Sequence, residues 1–71
     1  MMNYEIEINK IAQAIKHIRQ EKGLSVQELA YRCNIERSNL SRLEAGRTNM
    51  TIKTLCAICD ALEIELTDII K

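Results

Sequence analysis

Between Glu36 and Arg42 the chain places Glu36, Arg37, Ser38, Ser41 and Arg42, short hydrogen-bonding side chains interleaved with fork-shaped cations. On a helix, residues three and four apart share a face, so such a group can be presented together. Arginine offers paired N–H donors that match O6 and N7 of guanine, serine bonds several base edges, and a carboxylate accepts from the N4 amino group of cytosine. The chemistry open to this set is the reading of base edges in a DNA major groove. A second candidate is Cys56-Ala57-Ile58-Cys59, the C-x-x-C spacing of redox and metal sites. It lies inside a helical pattern with no second Cys or His pair near it in sequence, whereas a structural zinc needs four ligands. Reduced, buried thiols are therefore expected of Cys33, Cys56 and Cys59. His17 falls between the apolar positions Ile15 and Ile18 and should be exposed without a role. No nucleophile–base–acid set, Gly-rich phosphate loop or paired-carboxylate site can be assembled. Neither enzyme activity nor a cofactor nor a metal is expected.

The elements that must position the Glu36–Arg42 group are legible on either side of it. Ser25-Val26-Gln27-Glu28 is a Ser-x-x-Glu capping box, in which hydroxyl and carboxylate each satisfy a backbone N–H at a helix start. The short helix it opens carries Leu29 and Ala30 inward and is interrupted by Asn34, a residue that tolerates a left-handed turn. A new helix takes Leu40 and Leu43 to the core and stops at Gly46, while Ile35 and Leu40 plug the angle between the two. Two short helices joined by a tight turn make a helix-turn-helix, with its recognition helix at about 36–45.

Before this unit, Ile8, Ile11, Ile15 and Ile18 recur at spacings of three and four, the stripe of one helix face. Asn9 is the expected N-cap, and Gly23 the C-cap with Lys22 in the last turn. Upstream, Tyr4-Glu5-Ile6-Glu7-Ile8 alternates apolar and acidic residues, which reads as a short strand or an extended arm. After the unit, Thr51 or Asn49 caps a helix that buries Ile52, Leu55, Ile58, Cys59 and Leu62, and a last turn from about Leu66 adds Ile69 and Ile70. The expectation is all-α: an arm or strand over 1–9, then a compact bundle of about five short helices over 10–71.

Seventy-one residues with eleven Ile, seven Leu and no Phe or Trp suit one small domain of close-packed helices. The formal net charge is zero, but its distribution is uneven. From Arg32 to Lys53 five bases stand against two acids, giving +3, and from Thr54 to Lys71 four acids stand against one base, giving −3. A clustered positive stretch is the electrostatic footprint of nucleic-acid binding. No apolar run approaches the roughly 18 residues of a membrane span and no export signal opens the chain, so a cytoplasmic protein without a membrane partner is expected.

The run Ile15-Lys16-His17-Ile18-Arg19-Gln20-Glu21-Lys22-Gly23-Leu24-Ser25, then Glu28-Leu29-Ala30, then Asn39-Leu40-Ser41-Arg42-Leu43-Glu44-Ala45-Gly46, resembles the Cro/cI-type (XRE) helix-turn-helix family. Thr54-Leu55 and Ala61-Leu62 continue the match, which covers about Ile11 to Ile70. The wording Lys22-Gly23, Ala30-Tyr31 and Asn49-Met50-Thr51-Ile52-Lys53 is similar, more weakly, to the controller proteins of restriction–modification systems. The resemblance implies a lambda-repressor-like domain that binds double-stranded DNA as a transcriptional regulator of prokaryotic type. By the same resemblance, Arg37, Ser38 and Arg42 face bases and Glu36 heads the recognition helix. Ser25, Gln27, Arg47, Asn49 and Lys53 lie along the phosphates, and Asn39 and Thr51 are expected to contact the DNA backbone beside them. Arg19 and Glu44 match an ion pair that ties the first helix to the recognition helix. Departures from the family pattern stand at Val26, where Gln is usual, and at Asn34 and Glu63, where Gly is usual. Asn34 can adopt the turn; Glu63 suggests a different exit from the fourth helix. Glu36 could select a cytosine amino group or simply cap its helix.

Ile64, Leu66, Ile69 and Ile70 are more aliphatics than so small a body has core to cover. A homodimer packing on them is expected, reading two half-sites about 34 Å apart on an inverted-repeat operator. The rival from another class is a protein-interaction module, either an antitoxin-like chain that neutralises a partner or a helix-turn-helix that has lost DNA binding, with the acidic, aliphatic tail and the N-terminal arm as its active surface and a toxin or the transcription machinery as its protein partner.

Overall fold

The computed structural model describes residues 2–70. Met1 and Lys71, the outer ends of the expected arm and domain, lie outside the described residues. The chain runs through α1 (Tyr4–Glu21), α2 (Val26–Cys33), α3 (Arg37–Glu44) and α4 (Ile52–Leu62), then a 3₁₀ turn at Leu66–Asp68. The expected fifth helix is that single turn. Asp68 closes it by accepting the Glu65 N–H through Oδ2 at 2.8 Å.

The arm or strand expected over 1–9 is instead helix from Tyr4 onward, and the cap is Asn3 rather than Asn9. Asn3 Oδ1 accepts the N–H groups of Glu5 at 2.9 Å and Ile6 at 3.4 Å. The physical reason is cooperativity. Extending an existing helix adds one hydrogen bond per ordered residue without a new nucleus, and five alternating residues beside a strong helix cannot compete. The extension leaves Tyr4 and Ile6 exposed. Asn9, inside the helix, packs its side chain on Gly46, whose φ of +72° and missing Cβ make room for it.

The helices close on one core. α2 packs on α3 and α4, α1 on α3, and the 3₁₀ turn on α4. Ile15, Leu29, Leu40, Ile58 and Leu62 are fully buried, each contributing about 1.5–3 kcal/mol over an exposed position. Ala30 is buried where the helices meet, and Cys33 and Cys59 fill small gaps in the same cluster. Ile52, expected inside, is 60% exposed. It shares the angular stripe of Cys59, but it occupies the first turn of α4, where no neighbouring element covers it.

Each helix end has a local cause. At α2 the capping box forms, with Ser25 N–H to Glu28 Oε1 and Glu28 N–H to Ser25 Oγ both at 3.0 Å. Asn34 then adopts φ 58° and ψ 43°, and the Ile35 N–H returns to Ala30 O at 3.0 Å, turning the chain into α3. Thr51, not Asn49, caps α4 by accepting the Thr54 N–H at 3.1 Å. Glu63 takes the left-handed conformation that glycine usually supplies, at φ 59° and ψ 46°. The exit from α4 is thus the ordinary one, reached by a costlier residue, and not the different exit its side chain suggested.

Candidate nucleic-acid interface

The two sides of α3 differ completely. Leu40 and Leu43 are buried, while Glu36, Arg37, Ser38, Asn39, Ser41 and Arg42 are all exposed. Spacing explains this directly, because Leu40 and Leu43 lie three apart on one face and the polar residues occupy the rest of the circumference. Glu36 stands at the N-cap with extended backbone and makes no side-chain capping bond. Of the two roles open to it in the sequence, the structure lacks the cap, and its carboxylate stands free at the head of the helix. Arg42 Nη2 donates to Asn39 Oδ1 at 2.7 Å. No ion pair among the described residues engages Arg37.

A buried fork holds this helix against the body. Arg19, only 7% exposed, donates from Nε to Glu44 Oε2 at 2.7 Å and from Nη2 to Glu44 Oε1 at 3.0 Å. Its Nη1 donates to the Leu24 carbonyl at 2.7 Å. The guanidinium therefore joins the middle of the domain at three points: α1, the start of the α2 connection, and the last turn of α3. Bidentate geometry of this kind fixes orientation as well as position. No buried side-chain nitrogen or oxygen among the described residues lacks a partner.

The residues expected along phosphates flank α3 on two sides, and all are exposed: Ser25 and Gln27 at the start of α2, and Arg47, Asn49, Thr51 and Lys53 around the start of α4. Asn39 and Arg42 line a cleft with Thr48, Asn49 and Thr54, so the end of α3 and the loop into α4 form one polar surface. Ser25 and Gln27 border a shallow hollow with Glu28, Tyr31 and Arg32. The hydrogen bonds from the Ser25 backbone and then its hydroxyl hold the Glu28 carboxyl below its ordinary value, so the capping box keeps its charged form. Sequence alone assigns Tyr31, Thr48 and Thr54 no site role. Tyr31 is 88% exposed, and the available signal was an aromatic ring set off the Leu29–Ala30–Cys33 stripe.

The C-x-x-C pair straddles the surface of α4, with Cys59 buried and Cys56 exposed. Cys56 thus departs from the expected buried thiol. Burial pushes the Cys33 and Cys59 thiols up from their ordinary values, which disfavours the thiolate that metals and nucleophilic chemistry require. Among the described residues no three His, Cys, Asp or Glu side chains gather as metal ligands. His17 is exposed beside Glu21, 3.4 Å away. Of the four aliphatics expected to meet a second subunit, Ile69 is 4% exposed and belongs to the monomer's own core. It packs there because the 3₁₀ turn folds it back onto the core beside α4. Ile64, Leu66 and Ile70 remain half-buried at its edge. No helix is long and apolar enough to cross a membrane among the described residues.

Residues 14–71 match the Cro/C1-type HTH DNA-binding domain. The chain is 38% identical over 60 residues to the immunity repressor protein of Bacillus phage phi105, covering 84% of this chain and 42% of that protein. It is 33% identical over 58 residues to the antitoxin HipB of Escherichia coli K12, covering 82% and 66%. It thus spans less than two thirds of either relative. Among solved structures it is similar to the restriction–modification controller protein C.Esp1396I, crystallised as a tetramer with its natural 35 base-pair operator, at 39% identity and a TM-score of 0.80 over 83% of this chain and 78% of that one. With its helix-turn-helix, its exposed polar α3 face and this match over most of its length, the chain belongs to the Cro/C1-type helix-turn-helix DNA-binding domain family.

Proposed function

We propose that this protein is a sequence-specific DNA-binding transcriptional regulator that occupies an inverted-repeat operator as a homodimer. The observation that carries the reading is α3 itself, with Leu40 and Leu43 locked in the core and Glu36, Arg37, Ser38 and Arg42 left exposed on its outer face. In this reading Arg37 is the principal base reader and Ser38, Arg42 and Glu36 assist it. Ser25, Gln27, Arg47, Asn49, Thr51 and Lys53 hold the phosphates, helped by the N-termini of α2 and α4. The operator complex of the similar controller protein supports the same mode of action. Ile64, Leu66 and Ile70 form the edge against which a second copy packs. The protein acts in the cytoplasm by binding and not by catalysis, without a cofactor.

A second reading, in which the chain neutralises a protein partner, is favoured by the similarity to an antitoxin. Selection of binding sites from a random duplex pool by the purified chain, at low and moderate salt, separates the two. The expected product is an inverted repeat with half-sites about one helical turn apart. Recovery of no sequence preference, or binding that disappears uniformly with salt, removes the base-reading role of α3 and turns attention to a co-purifying protein.

A further inference from the structure

The contact between Asn39 and Arg42 joins two residues that sequence alone assigns to different tasks, one to phosphate and one to bases. Asn39 lies one turn before Arg42 on α3, and its Oδ1 accepts from Arg42 Nη2 at 2.7 Å. Both side chains are exposed, and both border the cleft toward Thr48 and Asn49. A free arginine at a helix surface samples many rotamers and loses that freedom on binding. Here one N–H of the guanidinium is already held.

We propose that Asn39 and Arg42 act as a single reading unit in which Asn39 positions the Arg42 guanidinium, and that the unit selects guanine at the base pair it meets. The inference rests on the DNA-reading role of α3. A guanidinium carries five N–H donors. With one spent on Asn39, four remain, enough for the two parallel bonds to O6 and N7 of guanine. The amide is altered as well. Asparagine recognises adenine by accepting from N6 while donating to N7, which requires a free Oδ1. With that oxygen held by a cation, Asn39 makes no adenine contact of its own, and the donors left to read the base are the N–H groups of Arg42. The major-groove edge of guanine offers two acceptors, whereas adenine opposes one of these donors with its own N6 amino group.

The test uses the operator recovered by selection. Affinities are measured for the unaltered protein, Asn39→Ala, Asn39→Asp, Arg42→Ala and the double variant Asn39→Ala/Arg42→Ala. Each guanine of a half-site is replaced in turn by 7-deazaguanine, which lacks the N7 acceptor. The unaltered protein should lose about tenfold at one guanine, and Arg42→Ala should be blind to that replacement. Asn39→Ala should lose most of the same discrimination, with the double variant no worse than Arg42→Ala. Asn39→Asp keeps the accepting oxygen, so it should retain the discrimination while binding every duplex more weakly through its added charge. Additive losses, or an Asn39→Ala effect that is uniform across duplexes, overturn the proposal and leave Asn39 an independent phosphate contact. If Arg42→Ala changes nothing while Arg37→Ala still weakens binding, the proposal falls and the reading by α3 stands. If neither variant changes affinity or preference, that reading falls with it.

Discussion

α2 and α4 leave through the same backbone device and lead to opposite outcomes. Each ends in a non-glycine residue in the left-handed region, Asn34 at φ 58° and Glu63 at φ 59°. In each, the next N–H returns to a carbonyl five residues back, Ile35 to Ala30 and Ile64 to Cys59, both at 3.0 Å. After Asn34 the chain becomes α3, whose outer face stays exposed within the segment of charge +3, five bases less two acids. After Glu63 the chain turns Ile69 back into the core and lays Ile64, Leu66 and Ile70 against it. A turn therefore sets only direction. Whether the returning segment is used for stability or left available to a partner depends on how its apolar residues are spaced.

The largest test of that contrast is Glu44→Ala. It leaves the Arg19 guanidinium buried without its carboxylate and should cost about 3–5 kcal/mol of unfolding free energy in denaturant titration. A loss below about 1 kcal/mol would mean the fork orients α3 without stabilising it. Next is Ile69→Ala in the C-terminal region, where truncating a buried side chain should cost about 2–5 kcal/mol. Retention of full stability would show that the segment after Glu63 closes nothing. Arg37→Ala is the counterpart on α3: about 1–3 kcal/mol of operator affinity with relaxed preference at one base pair, and a change in stability within about 0.5 kcal/mol. A stability loss matching that of Ile69→Ala would erase the division between the regions. Smallest is the pair of exits themselves. Glu63→Gly should raise stability by about 1 kcal/mol by relieving a left-handed side-chain residue. Asn34→Gly should gain less, because asparagine tolerates that region, and melting temperatures of the two variants rank them directly.

The parts of the fold that sequence made legible are those set by local physics. The Ser25–Glu28 capping box, the left-handed Asn34 and the Leu40–Leu43 stripe each act within one or two turns, so residue type and spacing suffice to place them, and they narrow the cap of α4 to Thr51 or Asn49. The exposed polar face of α3 follows from the same arithmetic. Longer-range features needed the assembled body. Nothing in the alternation of Tyr4 to Ile8 discloses that α1 reaches back to Asn3, because the helix downstream decides whether extension is easier than an arm. Ile52 obeys the helical stripe yet lies open, and Ile69 resembles its neighbours yet is enclosed, since burial depends on which element covers a position. The contact of Asn39 with Arg42 hides for another reason: an i, i+3 spacing permits it, but spacing does not choose the rotamers that make it. Local spacing and capping chemistry wrote the helices and the polar face, and only packing between helices decided which of those residues the core would keep.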